Sequence, residues 1–314
     1  MLLWTALQLV SFVSGAKVLF QYRGNRLCSI GPKGSFKYFE GPGFTANDGE
    51  LSVEGGCLVV NSYPFKQSRS DISDTTKFHL STNRAFQYKT GKVIVQMTGS
   101  AIMHGVEDNP FGEGYALSRI DSRLATSVFG VRDACGQAFN FLIVNGEVSA
   151  MIHAPFSTSP GPTVTSTMSY NIPLVNTQAG EEHTLALIFD AAAQSVSWSV
   201  DGTIHYTWTV DSQIPQENCV LRWGDPNRFT YPRKFTVGFG NYAGLAYYPP
   251  VSAAKAFDVE YKGLVNLPSL PMLLNPQTGE PAEFITDSSE QKARVWDRGA
   301  VLRIRDIIVT HNDA

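Results

Sequence analysis

The sequence predicts an all-β chain, an antiparallel β-sandwich or jelly roll with few helices. Three observations carry that expectation. The stretches Thr184 to Val210 and Gln137 to Ala154 alternate apolar and polar residues at period two, which buries one face of a strand and leaves the other open. Asn145-Gly146 and Asp201-Gly202 sit inside those stretches as hairpin turns. Glycine, proline, serine and threonine cut the remainder into strand-length pieces, and helix-period segments are scarce after the first fifteen residues. At 43% hydrophobic and 17% charged, the chain can bury a full core and is not disordered. Strands at this spacing favour one sandwich domain over 16–314 rather than two domains.

Residues 1–15 form an apolar run ending in small residues, with Val13 and Gly15 suited to a signal-peptidase site. No Lys or Arg precedes the run, and a buried N-terminal element is the alternative. The expectation is a leader and a secretory route. No stretch reaches the ~18 apolar residues of a membrane span. A net charge of −3 with no basic run argues against a nucleic-acid partner.

Further along, Lys17 to Ile30 holds a short apolar run and an Arg-rich patch, and Gly31 to Glu50 is turn-rich. Leu51 to Val60 reads as a hairpin broken at Gly55-Gly56. Tyr63 to Arg84 reads as a long polar loop containing Asp71, Asp74 and His79. Gln87 to Met97 reads as a strand pair about Thr90-Gly91, with Val93 and Val95 on one face. Met103 to Arg123 lacks clean alternation and carries Phe111 and Tyr115, which fits a lid or rim. In the 137–154 hairpin a type I′ turn sets Val144 opposite Glu147. Phe139, Phe141, Ile143, Val148, Ala150 and Ile152 then face a core. The other face collects Ala138, Asn140, Leu142, Val144, Ser149, Met151 and His153, half apolar and half polar. Such a face suits a small-molecule site, or cover by a loop such as 155–168.

In the later hairpin, Val196, Trp198 and Val200 continue into Ile204, Tyr206, Trp208 and Val210 as one apolar row. A three-residue loop with a bulge at Gly202 pairs Val200 with Ile204 and Trp198 with Tyr206, which keeps the row on one face. The opposite face is then Ser195, Ser197, Ser199, His205, Thr207 and Thr209, suited to water or ligand. Phe235 to Tyr242 and Ala300 to Val309 read as further strands.

Four cysteines fit an oxidising compartment. Of the three pairings, Cys28–Cys57 with Cys135–Cys219 is preferred, and free buried thiols are the alternative. None lies in a metal-type cluster, so no metal site is expected. The paired carboxylates of a glycosidase are missing as a Glu-x-Asp-x-x-Glu strand; Asp258-Val259-Glu260 shares only part of that spacing. No Gly-x-Ser-x-Gly or evident Cys/His pair offers a nucleophile. What remains is aromatic and apolar surface with hydrogen-bonding groups. Arg222, Trp223, Tyr231 and Arg233 cluster in sequence, and Tyr115, Asn140, His153 and His205 are the residues expected to converge with them.

Phe129-Gly-Val-Arg-Asp-Ala-Cys-Gly-Gln-Ala-Phe-Asn-Phe, Leu185-Ala-Leu-Ile-Phe-Asp, Val196-Ser-Trp-Ser-Val-Asp-Gly and Phe235-Thr-Val-Gly-Phe-Gly stand in this chain. Together they resemble a family of uncharacterised concanavalin-like jelly-roll proteins of fungi and bacteria. In size, leader and β-rich body the chain also resembles the fungal hetero-Diels–Alderases of tropolone sesquiterpenoid pathways. That second resemblance implies a cofactor-free cyclase joining a tropolone ortho-quinone methide to a humulene-type polyene, a hydrophobic small-molecule substrate. Catalysis would come from holding two apolar partners in a reactive pose and aiming a donor at the quinone methide oxygen, worth ~3 kcal/mol. Arg222, Tyr115, His153 and His205 would be donor candidates, with Asn140, Ser149, Met151, Trp223, Tyr231 and Phe111 lining the substrate site. A cyclase predicts a deep pocket under 103–123. The rival, a lectin-like carbohydrate-binding module, predicts Trp223 and Tyr231 exposed on a flat rim. A structural surface protein without a ligand is the third reading.

Overall fold

A computed structural model describes residues 16–41, 44–66, 76–107, 121–154, 167–223, 229–243 and 298–313, with short strands at 260–261, 272–274 and 281–283. The leader expected at 1–15 lies outside them. In chain order the strands are β1 (Lys17–Arg23), β2 (Phe36–Tyr38), β3 (Glu40–Gly41), β4 (Phe44–Thr45), β5 (Glu50–Glu54), β6 (Cys57–Ser62) and β7 (Thr76–Thr82). Then come β8 (Phe86–Gln87), β9 (Lys92–His104), β10 (Thr126–Asp133), β11 (Ala138–Ile143), β12 (Glu147–Ala154), β13 (Thr167–Asn176) and β14 (His183–Asp190). The rest are β15 (Ser195–Val200), β16 (Thr203–Thr209), β17 (Cys219–Trp223), β18 (Lys234–Tyr242), β19 (Glu260–Tyr261), β20 (Met272–Leu274), β21 (Pro281–Glu283) and β22 (Gly299–Asn312). Among the described residues the one helical piece is a single 3₁₀ turn at Gln216–Asn218.

Two antiparallel sheets hold most strands, as expected of a sandwich. The eight-stranded sheet runs β16-β15-β14-β9-β22-β6-β5, with β1 also on β22. The ten-stranded sheet runs β19-β17-β13-β12-β11-β10-β18-β7-β2, with β8 also on β18. Between them lies a continuous apolar core, to which alternate residues of both sheets contribute. Phe139, Phe141, Val237 and Phe239 bury from one sheet; Val93, Val95, Leu187, Trp198 and Trp208 bury from the other. Phe189 stacks on Phe235 across the layers at 4.7 Å. The indole N–H of Trp198 donates to the Asn140 carbonyl at 2.8 Å, so the buried ring keeps its one polar atom satisfied.

Asn241 is the polar exception inside. It is fully buried; its amide donates to Ser62 Oγ and the Ala300 carbonyl, each at 3.1 Å, and its Oδ1 accepts from Ser127 at 2.7 Å. It clamps β18 to the opposite sheet at β6 and β22. In β22 the register slips between Ile304 and Asp306, and this one-residue bulge turns both Ile304 and Ile307 inward.

Several expectations need correction. Thr76–Thr82 is a central strand rather than loop, and it carries His79; Asp71 and Asp74 lie outside the described residues. The segment about Thr90-Gly91 is no hairpin: β8 pairs with β18 in one sheet, and β9 runs to His104 between β14 and β22 in the other. Val144 does face Glu147, yet neither Asn145 nor Gly146 adopts the left-handed φ of a type I′ turn. Tertiary contact overrides turn preference there, because the Asn145 amide is consumed by the Met103 backbone N–H and carbonyl, both at 2.8 Å. Asp201 and Gly202 do adopt left-handed φ, 50° and 85°. Val200 pairs with Thr203 in a two-residue loop, and the bulge falls at His205, one step beyond Ile204. Trp198 still faces Tyr206, but Ile204 pairs with Ser199 and is turned out to solvent.

None of the four cysteines is in a disulfide, in place of the expected pairs. Cys135 sits exposed in the turn after β10 while Cys219 is buried at the start of β17, which keeps that pair from bridging the core. Burial pushes the Cys28 thiol up to about 11, so it stays protonated.

Candidate functional site

The outer face of the ten-stranded sheet carries the densest set of chemistry-bearing side chains. Strand pairing lines up one transverse row across it: Lys37, Ser81, Gly238, Gly130, Asn140, Met151 and Asn171, each the partner of the next. A second row runs His79, Gly240, Val128, Leu142, Ser149. A third runs Thr236, Arg132, Ala138, His153, Ser169.

Two glycines floor the middle of the first row, and each is there for space. A Cβ on Gly238 would fall 2.5 Å from His79 Nε2, and one on Gly130 would fall 2.2 Å from Asn140 Oδ1 and 2.3 Å from the Phe139 carbonyl oxygen. The imidazole and the amide therefore lean in over the glycines from opposite sides.

His79 is the hub of the site. Its Nδ1 lies 2.8 Å from the Tyr242 hydroxyl and its Nε2 lies 3.0 Å from Ser81 Oγ. Phe39 meets the ring edge-on at 6.0 Å, and the Arg132 guanidinium sits 4.9 Å from the Phe39 ring centre. Part of the His79 surface stays open, but both nitrogens are enclosed by hydrogen-bond partners. Burial, followed by the positive charge of Arg132, pushes its pKa down to about 3, so the imidazole is neutral at physiological pH. Burial likewise holds the Tyr242 phenol well above its ordinary value, with a Thr76 hydrogen bond pulling it back in part.

The Tyr242 and Ser81 hydroxyls each share a hydrogen bond with one ring nitrogen of the neutral His79, and the tautomer sets which of the two hydroxyls donates to the ring.

Four expected site residues do share this face. Asn140, Ser149, Met151 and His153 alternate along β11 and β12 as the hairpin pattern requires. Ser149 is buried; Asn140, Met151 and His153 are half-buried. The rest separate. His205 belongs to β16, exposed at an edge of the other sheet, and cannot converge with them. Tyr231 is buried rather than on a rim: its hydroxyl lies 2.7 Å from that of Tyr88, and the Arg233 guanidinium covers its ring. Arg222 and Trp223 fall in β17, opposite Met168 and Thr167, with their side chains outside the described part. Phe111 and Tyr115 lie outside the described residues. The serine face of β15 is closed as well: Ser195, Ser197 and Ser199 are buried among neighbouring strands, and Ser197 bonds Thr207 at 2.8 Å.

His79, Ser81, Tyr242, Arg132 and the glycine pair escaped sequence reading. Two signals were present. Phe78-His79-Leu80-Ser81 alternates at period two, and Val237-Gly238-Phe239-Gly240 sets glycine at each outward position of a strand. Among the described residues, no three His, Cys, Asp or Glu side chains gather as a metal site.

No curated protein matches the chain. Among solved structures it is similar to the catalytic domain of an endo-1,3-beta-glucanase (laminarinase) from Thermotoga petrophila, 13% identical, TM-score 0.47, covering 96% of this chain and 100% of that one. It is also similar to apo Crh5 transglycosylase (12%, TM-score 0.44, 94% and 84%) and to alginate lyase A1-II' of polysaccharide lyase family 7 (7%, TM-score 0.44, 87% and 86%). Likeness at this level says nothing of this chain's chemistry. Sequence is more decisive: residues 27–313 match one family throughout, and the chain belongs to the Family of unknown function (DUF6081).

Proposed function

We propose that the outer face of the ten-stranded sheet binds an extended, hydroxyl-bearing chain, a saccharide, along the row from Lys37 to Asn171. The observation that carries this is the glycine pair flanked by His79 and Ser81 on one side and Asn140 on the other. The imidazole and the amide fill the space over the glycines, so a ligand would lie across these side chains and the Ser81 hydroxyl rather than on the backbone. Six steps of ~4.8 Å between strands make the row about 29 Å long, room for several sugar units. Met151 supplies apolar surface for a sugar's C–H face. The Asn140 amide makes no hydrogen bond to a described residue and is available to a hydroxyl.

The test is a glycan panel probed with wild type and Asn140→Ala. Wild type should retain one class of oligosaccharide. The variant should lose about tenfold in affinity, the worth of one hydrogen bond of ~1.4 kcal/mol. Equal retention by both proteins would remove Asn140 from the site and the row with it.

A second reading follows from the half-buried Met151 beside Asn140 and His153. On it the same face is the substrate site of a cofactor-free hetero-Diels–Alder cyclase. Incubation with a quinone-methide precursor and humulene tests it. A single enantiomer formed above background, and lost in Asn140→Ala, supports a cyclase; racemic product at the uncatalysed rate sinks it.

A further inference from the structure

We propose that the ligand of this face is anionic, an acidic saccharide whose carboxylates or sulfates are taken by Arg132 on β10 and, further along the chain of sugars, by Lys37 and Ser81 on β2 and β7. The inference rests on the saccharide-binding reading and narrows its substrate class. Arg132 and Lys37 are both exposed, and neither makes an ion pair with a described residue. The bordering carboxylates keep their charge but are oriented by neutral donors of their own rather than by these cations. Asp133 accepts from the backbone N–H groups of Cys135 and Gln137, each at 2.8 Å, and from Gln137 Nε2 at 2.7 Å. Glu147 accepts from the Ser149 hydroxyl.

Arg132 is also held in place. Its guanidinium lies over the Phe39 ring, an arrangement that orders a long side chain without consuming its N–H donors. A planar fork of donors fixed in this way fits a carboxylate or sulfate in bidentate fashion. Ser81 pairs across the strands with Lys37 and presents a hydroxyl that can give a hydrogen bond to an anion. Because His79 is neutral, it does not supply the charge; Arg132 and Lys37 do. A ligand rich in acceptors and negative charge satisfies all of these groups, and a neutral glycan leaves the guanidinium unpaired.

The experiment is calorimetric titration with three hexasaccharides: a neutral glucan, a polyuronate and a sulfated glycan. Wild type, Arg132→Gln and Asn140→Ala are compared, with melting curves confirming that each variant folds. The expected result is that at least one acidic probe binds tenfold or more tighter than the neutral one. Arg132→Gln should abolish that preference with its melting temperature unchanged, and the carboxylate and sulfate arms separate the two anions. Equal or tighter binding of the neutral probe, still lost in Asn140→Ala, overturns the anionic class and leaves the saccharide face standing. Binding of none of the three overturns both.

Discussion

His79 shows how one side chain sets the character of the site. Its imidazole is depressed to about 3 in the native state, against ~6.5 when unfolded. As pH falls below 6.5 the unfolded chain takes up a proton that the native chain refuses until about 3, so stability drains across that window. A few kcal/mol on the order of magnitude are at stake. In His79→Gln, melting temperature should fall less steeply between pH 6.5 and 3 than in wild type, although it starts lower because Tyr242 and Ser81 lose their partner. Parallel slopes would mean that the ring is already charged in the native protein. The strand of this residue shows in the sequence only as the short alternation Phe78-His79-Leu80-Ser81. Lys77, its neighbour, is a charged residue at a buried position, capped by the Phe65 ring at 5.8 Å, and it hides the strand pattern around it. Asn140 and Met151, by contrast, were legible because alternation within one hairpin is a local property.

At the scale of elements, the β15–β16 hairpin teaches where pattern reading stops. Periodicity placed Trp198 opposite Tyr206 correctly and demanded an irregularity somewhere, but could not say whether it lay in the turn or one residue on. The turn itself is decided by hydrogen bonds. Asp201 tolerates φ 50°, accepts from the Thr184 backbone N–H at 2.8 Å and receives His183 Nδ1 at 2.8 Å, while His183 Nε2 meets Thr177 Oγ at 2.7 Å. Asp201→Ala removes both acceptors and strains the left-handed backbone, for a loss of roughly 1–3 kcal/mol. Asp201→Asn keeps the φ tolerance and one acceptor and should lose less. Urea denaturation measures both, and an Ala variant as stable as wild type would contradict this account of the turn. In β22 the jump from Leu302 and Ile304 to Ile307 and Val309 was a visible phase slip, and it corresponds to a bulge.

Over the whole molecule, the sandwich was legible because strand period and turn residues are local, and sheet order was not. Only the pairing of β7, β18, β10 and β11 brings His79, Gly238, Gly130 and Asn140 together from positions far apart in the chain. The disulfides expected from an even cysteine count failed for the same reason: spacing cannot say that Cys135 stays exposed while Cys219 is buried. A thiol titration without reductant should find one reactive group in the native protein and four after denaturation; none after denaturation would restore the disulfides. The central claim is that ligand chemistry belongs to the outer face of the ten-stranded sheet. The most direct test compares polysaccharide retention by the double variant Ser81→Ala/Asn140→Ala with that by Gln96→Ala/Thr184→Ala on the outer face of the other sheet. Loss in the first with wild-type retention in the second is the result predicted. Loss confined to the second would place the ligand on the opposite sheet and contradict the account.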